Sequence, residues 1–64
     1  MVNNKLKEKR EEKRLTQDEL AAKSGVSRQT IIWIETNEDY NPTLGTLTKL
    51  SKALDCPLQD IFLA

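Results

Sequence analysis

The sequence predicts an all-α fold of five short helices, and three observations support this prediction. Helix-capping and turn-forming residues recur at short intervals along the chain. The apolar residues between them follow the helical period, and nothing alternates with the period of two that strands require. The chain has 64 residues, which is enough for one small hydrophobic core. We therefore expect residues 1–64 to form a single domain with neither a linker nor a repeat.

Capping signals place the first two helices. Asn3 or Asn4 can cap a first helix that runs to about Lys13. Thr16 and Glu19 have the spacing of a capping box, in which the threonine hydroxyl and the glutamate carboxylate each accept a backbone N–H that the helix leaves unpaired. A second helix is therefore expected to begin directly after Thr16.

The remaining helices are marked by the same kind of signal. Gly25 can adopt the positive φ that a tight turn between helices needs, and Ser27 can then cap a third helix that ends near Thr36. After a polar, turn-forming segment, Thr43 is the expected cap of a fourth helix. Pro57 suits the first turn of a short fifth helix.

The apolar faces of these helices predict one shared core. Each helix contributes residues that fall on a single stripe at helical spacing. The expected core residues are Leu6, Leu15, Leu20, Ala21, Val26, Ile31, Ile34, Leu44, Leu47, Leu50, Leu54, Leu58 and Ile61.

Composition excludes several classes of function. The chain has no His and one Cys, so it cannot form an internal disulfide or a Cys/His metal site, which fits a reducing cytoplasm. Cys56 is expected to be a small buried hydrophobe. No apolar run exceeds four residues, so neither a signal peptide nor a membrane span is expected. We expect a soluble cytoplasmic protein without a cofactor. A small hydrolase is only a remote alternative, since the sequence shows no evident pair of a nucleophile and a base.

The formal net charge of zero conceals a gradient. Residues 1–14 carry six Lys or Arg against three Glu, whereas the rest of the chain is acidic. This basic segment could form a positive edge for an anionic partner. A solvated helix face of mixed Lys and Glu is an equally simple interpretation.

The third helix has more apolar residues than one buried face can hold. In SRQTIIWIET, residues 27–36, four of them run without a break from Ile31 to Ile34. At about 100° per residue, Ile31 and Ile34 share the inward arc. The outward arc then holds Ile32 and Trp33 together with Arg28 and Gln29. Solvent-exposed helix faces normally carry Glu and Lys instead.

The outward arc has the chemistry of a base-reading surface. The major groove of B-DNA admits an α-helix, Arg matches the two acceptors of guanine, and Gln matches the acceptor and donor of adenine. Apolar side chains can pack on the thymine methyl group. Arg28 and Gln29 lie in the first turn, the part of a recognition helix that contacts bases. Alternatively, Ile32 and Trp33 pack under the following loop or against a second protomer.

Residues 17–36, QDELAAKSGVSRQTIIWIET, resemble the helix-turn-helix of the Xre and Cro family of phage-repressor-like DNA-binding proteins. The residues that carry the resemblance are Gln17, Leu20, Ala21, Gly25, Val26, Ile31 and Ile34. The pattern continues through YNPTL and ALDCPLQDIF, so it covers nearly the whole chain. It is most similar to the short, stand-alone bacterial regulators of this family, and it implies their five-helix, lambda-repressor-like fold.

The resemblance also implies roles for individual residues. The implied base-reading residues are Ser27, Arg28, Gln29 and Ile32, with Trp33 as a flanking contact. The implied phosphate-binding residues are Gln17, Asn37, Tyr40, Asn41 and Thr43. The implied structural ion pair is Arg10 with Glu35, and a buried carboxylate at position 35 requires such a partner on physical grounds.

Some positions depart from the family pattern. Glu38 and Asp39 bring negative charge to a loop expected beside phosphates, which weakens nonspecific affinity. Gly45 lowers the helix propensity at the start of the fourth helix. Ile32 and Trp33 make the groove face unusually apolar.

The expected function is therefore sequence-specific binding of double-stranded DNA by a transcriptional regulator, a repressor that occupies a palindromic operator as a homodimer. Phe62 and Leu63 exceed what a small core can absorb and could supply the dimer contact. The alternative is a protein–protein interaction module that reuses this fold, with Ile32 and Trp33 as hot spots.

Overall fold

The computed structural model describes residues 3–62, and within this range the chain is all-helical, as predicted. The helices are α1 (Leu6–Glu12), α2 (Gln17–Ser24), α3 (Arg28–Thr36), α4 (Leu44–Leu54) and α5 (Leu58–Phe62). The α2 helix packs against both α3 and α4, while α1 and α5 complete the core. None of the helices within residues 3–62 has the length and apolar character needed to cross a membrane.

The predicted caps of α2, α3 and α4 are present. The hydroxyl of Thr16 accepts the Glu19 N–H at 3.0 Å, and the Glu19 carboxylate accepts the Thr16 N–H at 2.8 Å. Gly25 ends α2 with a φ of 76°. The hydroxyls of Ser27 and Thr43 each accept the backbone N–H three residues further along the chain. These local bonds fix the start of α3 and therefore the direction of its first turn.

The start of α1 differs from the prediction. Lys5, and neither Asn3 nor Asn4, occupies the N-cap position, and its side chain forms no cap. The Asn4 side chain instead accepts the Leu6 N–H at 2.8 Å and donates to the Ile34 carbonyl at 3.0 Å. Asn4 thus accepts the first amide of α1 although it lies one residue before the N-cap position. The same side chain ties the start of α1 to α3.

The core lies between all five helices. Its buried apolar residues are Leu6, Leu20, Val26, Ile31, Ile34, Leu50, Ala53, Leu54, Ile61 and Phe62. Four more predicted core residues, Leu15, Ala21, Leu47 and Leu58, are half-buried at its edge. Cys56 is also half-buried there, and its thiol is not in a disulfide.

Two expectations about apolar residues are wrong. Leu44 was expected in the core but is 67% exposed, because it begins α4 and lies about 120° around the helix from Leu50 at 100° per residue. Phe62 was expected to exceed the capacity of the core but is only 8% exposed. Ala53, which was not among the expected core residues, is also buried. A dimer contact through Phe62 is therefore not available without unpacking the core; Leu63 lies outside the described residues.

Candidate nucleic-acid interface

The α3 helix divides into a buried face and an exposed first turn. Ile31 and Ile34 are fully buried, as the periodicity predicted. Ser27, Arg28 and Gln29 are all exposed. Because the buried face is anchored in the core, the exposed turn is held at the protein surface by a rigid support.

The two surplus apolar residues of α3 have different environments. Ile32 is half-buried. Trp33 is 40% exposed, and its ring lies against the ring of Tyr40, with centroids 5.3 Å apart and planes at 41°. Tyr40 belongs to the loop after α3, so Trp33 packs on that loop while much of its surface stays accessible. The ring pair connects the outward face of α3 to the loop.

Hydrogen bonds limit what Ser27 can offer to a partner. Its hydroxyl accepts the Thr30 N–H at 3.1 Å and donates to the Thr30 hydroxyl at 2.7 Å. The hydroxyl proton is thus already used within the helix cap. The Ser27 hydroxyl is therefore better placed to accept a hydrogen bond from a partner than to donate one.

Arg28 reaches back to the preceding helix. Its Nε lies 3.3 Å from Oδ1 of Asp18, the second residue of α2. The Arg28 side chain is 59% exposed and that of Asp18 is 76% exposed. The pair therefore lies at the surface, where water screens it strongly, and its contribution to stability is small.

An open groove joins the start of α2 to α3. Two of the predicted DNA-contacting residues, Gln17 and Arg28, line it together with the predicted ion pair of Arg10 and Glu35. The complete lining is Lys7, Arg10, Thr16, Gln17, Asp18, Arg28, Glu35 and Thr36. Lys7 brings one basic side chain of α1 to this groove, and the carboxylates of Asp18 and Glu35 also line it. The groove lies beside the exposed first turn of α3.

The floor of this groove is a hydrogen-bonded carboxylate. Glu35 Oε2 accepts from Arg10 Nε at 2.9 Å, and Oε1 accepts from Arg10 Nη2 at 3.2 Å. Gln17 Nε2 also donates to Glu35 Oε1, at 3.2 Å. The second terminal nitrogen of Arg10, Nη1, donates to the Leu15 carbonyl at 2.8 Å. The structure thus contains the expected Arg10–Glu35 pair, and it adds Gln17 to it.

The environment of Arg10 keeps its guanidinium charged. The hydrogen bond to the Glu35 carboxylate raises the pKa of Arg10 above its ordinary value, and burial opposes this effect. The pKa of Arg10 is higher in the folded protein than in the unfolded chain, so the charged guanidinium stabilises the fold. This stabilisation is complete at every pH below the unfolded pKa and is lost only as the pH rises through the folded pKa. The pair is therefore a permanent feature at neutral pH.

The loop after α3 carries the other predicted phosphate contacts. The Asn37 side chain accepts the Asp39 N–H at 2.9 Å, and the Tyr40 N–H donates to the Asn37 carbonyl at 3.2 Å, so a turn is formed here. Asn41 and Thr43 are exposed, and the Thr43 hydroxyl caps α4. The loop begins directly after Thr36, which lines the groove together with Gln17. The predicted phosphate contacts therefore belong to two segments, the start of α2 and the loop after α3.

Two residues of this surface were missed by the sequence analysis. Lys7 was seen only as part of a basic segment, and Asp18 only as part of a helix start. The contact between Asp18 and Arg28 depends on the angle of the turn between their helices, which sequence spacing does not give. Among residues 3–62, no group of three or more His, Cys, Asp or Glu could hold a metal ion.

A turn-linked pair of helices whose second member is anchored on one face and exposed at its first turn defines the helix-turn-helix class of DNA-binding proteins. The chain belongs to the helix-turn-helix family of the Xre and Cro type, because the family model "Helix-turn-helix" matches residues 6–61. This is a family of DNA-binding transcriptional regulators and not a class of enzymes.

Relatives of similar length carry the same description. An uncharacterized HTH-type transcriptional regulator of Methanocaldococcus jannaschii is 47% identical over 62 residues, covering 97% of this chain and 92% of its own. The uncharacterized HTH-type transcriptional regulator YgzD of Bacillus subtilis is 38% identical over 61 residues, covering 95% of this chain and 91% of its own.

A longer relative provides the structural comparison. The HTH-type transcriptional regulator SinR of Bacillus subtilis is 38% identical over 55 residues, which cover 86% of this chain and 50% of SinR. A chain from the solved SinR protein/SinI protein complex matches this fold with a TM-score of 0.82 and 36% sequence identity, covering 92% of this chain. The matched part is 57% of that chain, so this protein spans just over half of its length.

Proposed function

We propose that this protein is a repressor that binds a specific duplex DNA sequence by placing α3 in the major groove. The observation that carries the proposal is the exposed first turn of α3, where Arg28 and Gln29 extend from a helix whose other face is fixed in the core. Arg has the donor geometry for guanine and Gln matches adenine. The proposed base-reading residues are Ser27, Arg28, Gln29, Ile32 and Trp33.

Phosphate contacts from the start of α2 and from the loop after α3 would set the position of α3 on the duplex. The N-terminal end of α2 carries partial positive charge and unpaired N–H groups. Gln17 lies there, and its bond to Glu35 holds the carboxamide in place. The proposed phosphate-binding residues are Gln17, Asn37, Tyr40, Asn41 and Thr43. Glu38 and Asp39, both exposed in the same loop, keep the nonspecific attraction to phosphates weak.

The proposed functional form is a cytoplasmic homodimer on a palindromic operator. A single module of this kind buries only about 600 to 1,000 Å² on DNA, which is little for tight specific binding. Two protomers on half-sites about one helical turn apart double this surface. Because Phe62 is buried, the dimer contact must come from other surface residues. Sedimentation can test the dimer at a protein concentration of about ten times the dissociation constant for DNA. A protein that is monomeric there, with one protomer bound per site, would contradict the dimer.

Selection of bound duplexes from a random pool tests the proposal directly. We expect an enriched motif with two-fold symmetry, and gel shifts should show that this motif binds more tightly than a shuffled duplex at moderate salt. Specific sites are typically about 10³ times or more stronger than random DNA. If no sequence is enriched and the folded protein ignores duplexes even at low salt, the proposal is wrong.

A second candidate function is a protein-interaction module. The solved relative is a complex of two proteins, SinR and SinI, and the Trp33–Tyr40 pair gives this chain an accessible aromatic surface. This function requires that Trp33→Ala abolish partner binding while Arg28→Ala leaves it unchanged. DNA reading requires the Arg28 variant to be the more damaging one in the gel shift.

A further inference from the structure

We propose that Asp18 is a positioning residue that orients the guanidinium of Arg28 toward one base pair, and that Asp18 thereby helps to set the DNA specificity of this protein. The inference rests on the proposed function. It assigns a role to an acidic side chain at a surface where acidic groups would otherwise only repel phosphates.

The atoms used in the contact are compatible with base reading. Asp18 Oδ1 lies 3.3 Å from Nε of Arg28. A guanidinium has five N–H donors in a planar fork, one on Nε and two on each terminal nitrogen. Contact at Nε leaves both terminal nitrogens available to donate to the O6 and N7 acceptors of guanine. Asp18 can therefore hold Arg28 without competing for the donors that would read the base.

The two anchors of this pair are themselves fixed. Asp18 lies in the first turn of α2, which the Thr16–Glu19 capping box locks in place. Arg28 is the first residue of α3, directly after the Ser27 cap. Their backbones are thus rigid while both side chains stay in water. An arginine has many rotamers, and a partner that restricts them lowers the entropy lost on binding.

A competing role for Asp18 makes a different prediction. If Asp18 merely sequestered Arg28, or merely repelled DNA, its removal would tighten binding to every duplex and leave base preference unchanged. If Asp18 positions Arg28, its removal tightens binding to random duplex slightly, because one negative charge is lost. The same change must reduce the preference at the single base pair that Arg28 contacts.

The experiment compares Asp18→Asn with Asp39→Asn in the chain of 64 residues. Both variants remove one exposed carboxylate, but Asp39 is in the loop after α3 and serves as the matched control. Dissociation constants are measured for the selected motif and for each single-base-pair substitution of it. Thermal unfolding verifies that both variants are folded. Arg28→Ala and the Asp18→Asn/Arg28→Ala double variant complete the set.

We expect Asp18→Asn to reduce the preference for the motif over its single-base-pair substitution about two- to fivefold, which is the size of the coupling in an exposed ion pair. This loss should occur only at the base pair where Arg28→Ala also reduces the preference. In the Arg28→Ala background, Asp18→Asn should cause no further loss of discrimination. Asp39→Asn should leave the preference at every position unchanged. Unaltered preference in Asp18→Asn, or an equal loss in the Arg28→Ala background, overturns the inference. If the wild-type chain binds no duplex selectively, the proposed function has failed and the inference falls with it.

Discussion

Arg10 Nε lies 2.9 Å from Glu35 Oε2, and the two side chains are 10% and 2% exposed. This contact links α1 to α3. The carboxylate also accepts hydrogen bonds from Arg10 Nη2 and from Gln17. A carboxylate so far from water is tolerated only because these donors replace its hydration.

Breaking the ion pair on one side should unfold much of the protein. Arg10→Met leaves the Glu35 carboxylate buried beside a single amide donor, and we expect the free energy of unfolding to fall by about 3 to 5 kcal/mol. Urea denaturation followed by circular dichroism measures this loss. The double variant Arg10→Met/Glu35→Leu removes the stranded charge and should recover much of the stability. A double variant that is less stable than Arg10→Met would show that the stranded charge is not the cause.

Arg28→Ala tests base reading. We expect a loss of about 1 to 3 kcal/mol in specific binding and a relaxed preference at one base pair. The physical reason is the loss of two parallel N–H donors that match guanine. The measurement is a set of dissociation constants for the selected motif and its single-base substitutions. Equal weakening on every sequence would instead assign Arg28 to the backbone.

Gln17→Ala tests the phosphate role. Its carboxamide lies at the α2 N-terminus and is oriented by Glu35, so its removal should weaken binding by about 1 kcal/mol, the size of one hydrogen bond. The weakening should be the same for the motif and for random duplex, because phosphates carry no sequence information. Unfolding curves control for the lost bond to Glu35. A shift in base preference would refute this role.

Local signals in the sequence determine most of the helix boundaries. The Thr16–Glu19 capping box, the Ser27 and Thr43 caps and the positive φ of Gly25 all follow from residues within one turn of the feature they fix. The inward positions of α3 follow from periodicity alone. This is why the helical fold and most of its boundaries could be predicted, whereas the family was indicated by the resemblance of residues 17–36 to a known pattern.

Contacts that depend on tertiary packing could not be predicted in the same way. Leu44 matches an apolar stripe, yet its place at the start of α4 leaves it exposed. Phe62 is buried at the end of α5, and this burial depends on how α5 packs against α4 and α1. The Asp18–Arg28 contact depends on how α2 and α3 are oriented, and sequence spacing does not give that angle.

The two glycines should respond to alanine with opposite signs. Gly25 has a φ of 76°, which strains an L-residue even though no atom lies within 4 Å of an added Cβ. Gly25→Ala should therefore lower the free energy of unfolding by about 1 kcal/mol. Gly45 lies inside α4, and an added Cβ would meet only the Thr43 hydroxyl oxygen, at 3.9 Å. Gly45→Ala should raise stability by about 0.5 kcal/mol or more. Denaturant midpoints measure both, and a change of the same sign in the two variants would contradict this explanation.

Charge reversal in the loop after α3 tests whether this loop approaches DNA. Glu38 and Asp39 are exposed there, beside residues proposed to contact phosphates. Glu38→Lys/Asp39→Lys should tighten binding to all duplexes, because two repulsive charges become attractive. The logarithm of the binding constant should also fall more steeply with the logarithm of salt concentration, by about 0.9 for each lysine that neutralises a phosphate.

The single variants Asp39→Lys and Asp60→Lys separate a local effect from a change in net charge. Each replaces one exposed carboxylate by an ammonium, but Asp60 lies on α5 and not in the loop. Both variants raise the overall charge equally, so any long-range attraction to DNA increases equally in both. Such attraction is weak beyond the Debye length of about 8 Å at physiological salt. Only Asp39→Lys should steepen the salt dependence of DNA binding. Equal slopes for the two variants would mean that the loop stays away from the phosphates and that Asn37, Tyr40, Asn41 and Thr43 do not bind them.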